Sequence, residues 1–216
     1  MYNKKNKRGF SIGEVMVAMF ILLVGIVDAI YLTVRSVGDL HDSRDAVIAT
    51  LLAQEGTELV RNVRDNNVTQ STCGTGSERC TAFDQEYGFP SITGSQIIEC
   101  TIDYNTGGTD SKFLCNNSPS EIYLNTATGM YTHQSGGNTF LETGLRRKIY
   151  IEYDRSNNGP INAATPPDEI IANVTSVVVF GGADFPTKAN IEKDCMIAKG
   201  CVYAQTRLTS WINYGD

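Results

Sequence analysis

The sequence is short of the residues that build metal and redox centres. It has two histidines, His41 and His133, and none of its six cysteines forms a C-x-x-C pair. A zinc site needs closely spaced thiolate or imidazole ligands, so this scarcity argues against one. Positive charge is also in short supply: 18 Lys and Arg stand against 24 Asp and Glu, a net charge of −6. Generic nucleic-acid binding draws on a basic surface, which this balance excludes. The local run Arg146, Arg147, Lys148 is too short to reverse it. Acidic residues are missing from the first nine positions, which carry Lys4, Lys5, Lys7 and Arg8. Proline is missing from the apolar stretch that follows, Phe10 to Val34.

What is present divides into three parts. Composition, 41% hydrophobic and 19% charged, marks the body as globular, with enough chain for a real core. The basic leader is followed by an apolar run longer than the roughly 7–15 residues of a simple secretory signal. Val15 to Val34 alone spans about 30 Å as a helix, the thickness of a hydrocarbon core. Lysines in front of such a run keep the N-terminus cytoplasmic and send the bulk outward. Cysteine usage agrees with an oxidising compartment. Six cysteines permit fifteen pairings. The expected set is the nearest-neighbour one, Cys73–Cys80, Cys100–Cys115 and Cys195–Cys201, each closing a polar loop; free buried thiols are the alternative.

From Phe10 to Val27 the run carries one carboxylate, Glu14, just inside its start, and Asp28 interrupts it only towards the far end. Burying a lone charge there is costly, so Glu14 either snorkels to the headgroups or is held by a partner. The stretch Gly9-Phe10-Ser11-Ile12-Gly13 also fits the G-x-S-x-G pattern of hydrolases. That chemistry needs a strand before the serine and an open pocket after it, and a basic leader running into a membrane helix supplies neither.

Beyond the span, "RSVGDLHDSR" is polar. Val47, Ile48, Leu51, Leu52, Leu59, Val60 and Val63 then recur at three- and four-residue spacing, predicting a helix with one apolar face that covers a sheet. Gly56 lies on that stripe and suits a close approach. Glu58 and Arg61 form a surface pair, and Asn66 or Asn67 ends the helix. After it, "SQIIECTIDYN", "EIYLNTATGMYTHQ", "LRRKIYIEYD", "EIIANVTSVVVFGG" and "CVYAQTRLTSWI" read as strands. In "LRRKIYIEYD", Ile149, Ile151 and Tyr153 point one way and Lys148, Tyr150 and Glu152 the other. The fold class is therefore α+β, a long N-terminal helix on an antiparallel sheet.

Gly9-Phe10-Ser11-Ile12-Gly13-Glu14, behind a short basic leader and ahead of an apolar run, resembles the class III signal of type IV prepilins. Ser11 and Gly13 stand where threonine and isoleucine are more usual. The resemblance implies the type IV pilin fold, cleavage between Gly9 and Phe10, N-methylation of Phe10, and an assembly role for Glu14. Cleavage gives Phe10 a charged amine that Glu14 of a neighbouring subunit can neutralise. On this reading residues 1–9 are a leader peptide and 10–34 the membrane-embedded and filament-core half of the helix. Residues 35–67 are its amphipathic half, and 68–216 a disulfide-clipped β-rich head. The implied partners are other pilin subunits, the prepilin peptidase and methyltransferase, and an assembly platform with its ATPase. The subunit sits in the cytoplasmic membrane before assembly, head outside, and on the cell surface afterwards. A minor or tip subunit that primes the fibre or carries an adhesive or DNA-binding surface is a variant within the family. The alternative from another class is an uncleaved, signal-anchored exoplasmic binding or adhesion domain.

No catalytic set and no cofactor are expected. His133, Ser135 and scattered aspartates show no spacing that supports hydrolysis. "DRSNNGPINAAT" opens like an EF-hand loop, but Thr165 stands where that loop needs a bidentate glutamate. Asp154 and Asn158 are only weak calcium candidates, and a solvated turn is favoured.

Overall fold

The computed structural model describes residues 9, 11–70, 97–104, 112–115, 119–155, 170–197 and 200–209. Two compact units divide between Arg44 and Asp45. The first is helical. Helix α1 (Ile12–Gln70) contains no proline, and its first turn carries Glu14, where a carboxylate meets the positive end of the helix dipole. Every described residue from Ser11 to Arg44 is exposed. The helix holds a stretch long and apolar enough to cross a membrane, with mean hydropathy 2.6, none of it buried.

The second unit packs the remainder of α1 on an antiparallel sheet. Its strands are β1 (Ile98–Asp103), β2 (Lys112–Cys115), β3 (Glu121–Asn125), β4 (Met130–Thr132), β5 (Phe140–Arg155), β6 (Ile170–Val179) and β7 (Cys201–Thr209), with a short helix α2 (Ile191–Ile197) before the last. β5 organises them. One edge pairs with β6 from Arg146 to Arg155. The other is shared, its first part by β3 and its later part by β1 around Ile149. Gly144, with φ of 71°, sits where the β3–β5 register shifts, a bulge that only glycine enters without strain. β2 extends the sheet beyond β1, β4 beyond β3, and β7 beyond β6. The α+β class and the antiparallel pairing agree with the sequence pattern.

The period-two alternation of β5 and β6 divides the two faces. Leu145, Ile149, Ile151 and Tyr153 with Ala172, Val174 and Val178 face α1, packing on Ala49, Leu52, Ala53, Leu59, Val60 and Val63. On the opposite face Tyr150, Val177 and Val179 pack with Cys195 of α2 and with Phe185. The buried stripe of α1 agrees with the expected one at Leu52, Gly56, Leu59, Val60 and Val63. It differs in that Val47 and Leu51 are exposed, and Ala49 and Ala53 are buried in the stripe. The reason is distance: a flat sheet and a helix come closest where side chains are smallest, so the contact selects small residues over large ones. A Cβ at Gly56 would run into Ser176 Oγ and lie 2.9 Å from Ile149 Cδ1. The helix also continues past Asn67 to Gln70, and the sequence pattern missed β2 and α2, both too short to show a period.

Gly56→Val is expected to destabilise the head by about 3 kcal/mol through overpacking against β5 and β6. Gly38→Val, at a position with nothing within 4 Å, should leave it unchanged. Thermal unfolding followed by near-UV circular dichroism compares the two.

Candidate functional site

The sequence-derived site lies at the start of α1. Gly9 is exposed, and Phe10 lies outside the described residues. Ser11 caps the helix: its carbonyl accepts the backbone N–H of Glu14 at 3.0 Å, and its own N–H donates to Glu14 Oε2 at 3.2 Å. Ser11-Ile12-Gly13-Glu14 is thus half of a capping box, a serine with a glutamate three residues on. Glu14 therefore has a partner within its own chain. One oxygen is held locally, and Oε1 is left for another group. The signal was present as the S-x-x-E spacing.

Around Glu14 the surface is apolar on all sides. Met16 and Met19 are exposed, as are Phe20, Ile21, Leu22 and Leu23, and the pattern continues through Leu32 and Val34. Fully burying one such side chain is worth about 1.5–3 kcal/mol, so a run of this length is stable only under cover. Among the described residues of the helical unit none covers it, which makes the stretch a candidate membrane anchor.

In the head, Cys100 pairs with Cys115 across β1 and β2, and Cys195 with Cys201 between α2 and β7, the nearest-neighbour partners. Cys73 and Cys80 lie outside the described residues. Asn158 does as well, together with the side chain of Asp154. Among the described residues no group of three or more His, Cys, Asp or Glu is placed to hold a metal ion.

A buried polar cluster, not anticipated from the sequence, ties α1 to the sheet. Arg147 is 1% exposed. Its Nη1 donates to the Leu52 carbonyl in α1 at 3.2 Å, and its Nη2 to the Ile102 carbonyl in β1 at 2.8 Å. Glu55 Oε2 lies 3.6 Å and Asp103 Oδ1 3.8 Å from the guanidinium, supplying counter-charge. Asp103 in turn accepts from Thr132 Oγ1 at 3.0 Å and from the His133 N–H at 2.8 Å, and His133 Nδ1 donates to it at 2.5 Å. Burial pushes the Asp103 carboxyl up. The hydrogen bonds and charge of His133, with the Thr132 hydroxyl, outweigh that and hold it below the usual 3.8. Burial draws the Arg147 guanidinium down, opposed by Glu55 and Asp103.

The Asp103–His133 pair has the relation of an orienting carboxylate to a catalytic base. Here, however, Nε2 is buried and meets no hydrogen-bond partner among the described residues, so it is not presented to a substrate. The cluster serves packing. Nor do Arg146, Arg147 and Lys148 form the basic run that the sequence displays. Arg146 and Lys148 project to the other face. There Arg146 donates to the Ala183 carbonyl at 2.5 Å, and both cations stack on the Phe185 ring, at 5.2 and 4.9 Å from its centre. Lys148 and Lys188 pair with Glu99 at 3.1 and 3.4 Å. Burial raises the Glu99 carboxyl, and the two lysines more than reverse it.

Removing one partner of a buried ion cluster is costly, so Arg147→Ala is expected to destabilise the head by about 3–5 kcal/mol. A depressed carboxyl pKa stabilises above its unfolded value and loses that contribution as pH falls through its folded value. Asp103→Asn should therefore be less stable than wild type at neutral pH and show a shallower loss below pH about 4. Denaturant melts at several pH values measure both.

Compared with protein-family models, with curated proteins and with solved structures, the chain finds no match in any of the three, so its reading rests on its own residues.

Proposed function

We propose that this chain is a type IV pilin or pseudopilin. In this reading it is made as a membrane-held precursor, cut between Gly9 and Phe10, and packed through its N-terminal helix into a filament with other pilin subunits. The carrying observation is the long, uniformly exposed apolar stretch of α1 with a single carboxylate near its start, Glu14. A membrane covers such a stretch before assembly, and the same stretch of neighbouring copies covers it afterwards. The capping hydrogen bond from Ser11 survives cleavage, because the Phe10–Ser11 peptide bond remains, and it uses only Oε2. Oε1 is then available to the new Phe10 amine of a neighbour, an ion pair that sets the axial step between subunits. A compact head with an ordered sheet and disulfide clips suits the outer surface of a filament. Processing calls for a prepilin peptidase and methyltransferase, and extraction for a platform and ATPase.

A second reading is favoured by one observation. Because Ser11 already satisfies part of the Glu14 carboxylate with the leader in place, an uncleaved, signal-anchored exoplasmic binding or adhesion domain is also consistent.

Intact mass and N-terminal peptide mass spectrometry on protein from its native host separate the two. A chain beginning with N-methylated Phe10 is the expected result. An intact Met1–Gly9 leader overturns the filament reading and leaves the anchored domain. In the first case Glu14→Ala should abolish incorporation into filaments while leaving membrane levels and head folding intact, as read by shear fractions and immunoblots.

A further inference from the structure

We infer that the head carries a binding site for a neutral saccharide, in the cavity between α1 and the β3–β4 hairpin. This inference is independent of filament assembly. The cavity measures about 500 Å3, within the size range of small-molecule sites. Three aromatic rings line it: Tyr104, Tyr131 and Phe140. Tyr104 is 59% exposed, a ring presented to solvent instead of used in the core. The lining also includes residues with flat hydrogen-bonding groups, the carboxamides of Asn125 and Gln134 and the carboxylate of Glu55. Asn125 Oδ1 accepts from the Ala127 N–H at 3.0 Å, which fixes the amide and leaves its NH2 to donate.

These groups define a chemistry. A pyranose has apolar C–H faces that stack on aromatic rings and equatorial hydroxyls that pair with planar amides and carboxylates. Among the described residues the lining is acidic only at Glu55 and includes no lysine, arginine or histidine, so they offer no cation to a phosphate or carboxylate. Glu55 already has Arg147 as counter-ion at 3.6 Å, while its side chain remains 40% exposed. It therefore serves as a hydrogen-bond acceptor more than as a bare charge, which favours a neutral ligand over a cation. The cavity on the opposite face, beneath α2, contrasts with this one. It is lined by Lys188 and Lys193 together with Glu152 and Glu192, and that mixture of charges selects no ligand class.

The hairpin's construction keeps this lining in place. Asn125 is paired with Met130 on β4 and with Phe140 on β5, so backbone hydrogen bonds hold both sides of the pocket. Thr132 and His133, at the end of β4, are anchored to Asp103. A preorganised pocket loses less entropy on binding than one that must be ordered by its ligand.

The test uses the full chain in a zwitterionic detergent, because maltoside detergents carry the very chemistry in question. Saturation-transfer NMR and titration are run with methyl glycosides of common hexoses and N-acetylhexosamines, and with a lysine derivative blocked at both backbone ends. The expected result is saturation of ring C–H protons of at least one glycoside. Tyr104→Ala and Gln134→Ala, both at exposed side chains, should each weaken it roughly tenfold, or about 1.4 kcal/mol. Met196→Ala, an exposed residue of α2 on the other cavity, should leave it unchanged. Any of three results overturns the inference: no glycoside binds, the lysine derivative binds in preference, or binding is indifferent to both cavity variants.

Discussion

A buried cation, Arg147, ties the packed half of α1 to the sheet. Arg147 sits under the middle of the packed half of α1, where no water reaches it, and its guanidinium bonds at once to a helix carbonyl and a strand carbonyl. A charge so placed is tolerated only because Glu55 and Asp103 lie within 4 Å of it. Those two carboxylates come from different elements, the helix and the end of β1. Asp103 then recruits Thr132 and His133, which fixes the end of the β3–β4 hairpin. Through these contacts the one side chain links α1, the end of β1 and the hairpin. Apolar packing alone would let a helix slide along a sheet. A fork of directed hydrogen bonds does not.

Small residues complete the arrangement. Ala49, Ala53 and Gly56 bring the helix axis close enough for Arg147 to reach the Leu52 carbonyl, and Ser176 beneath Gly56 fills the remaining gap. The two devices are complementary. Close approach excludes water from the guanidinium, and the guanidinium in turn fixes the register in which the close approach occurs.

The strongly alternating strands were legible in the sequence. β5 and β6 show two-residue periods that match their two faces, and the helix pattern of α1 is long and unbroken by proline. The parts that escaped have identifiable causes. A search for large apolar residues adds Val47 and Leu51 to the helix stripe and passes over Ala49 and Ala53, because alanine carries little hydrophobic signal even where it marks a tight contact. Arg147 reads as one of three surface cations, since charge in a sequence carries no information about burial. Asp103 and His133 are 30 positions apart, and only the fold brings them together. At the front of the chain the motif around Gly9 and Glu14 is visible as a motif, while the hydrogen bond that Ser11 makes to Glu14 is a matter of local geometry.

The same cation imposes an order on the making of the protein. Leu52 and Arg147 are separated by 95 positions. At about 5–20 residues per second, the chain grows for roughly 5–20 s between the two. During that interval α1 is complete but its sheet-facing stripe is uncovered, and the strand that must lie on it does not yet exist. The small residues at the centre of that stripe, two alanines and a glycine, then acquire a second meaning. Leucines in their place would add to the apolar surface that Leu52, Leu59, Val60 and Val63 already expose while the helix waits for its sheet.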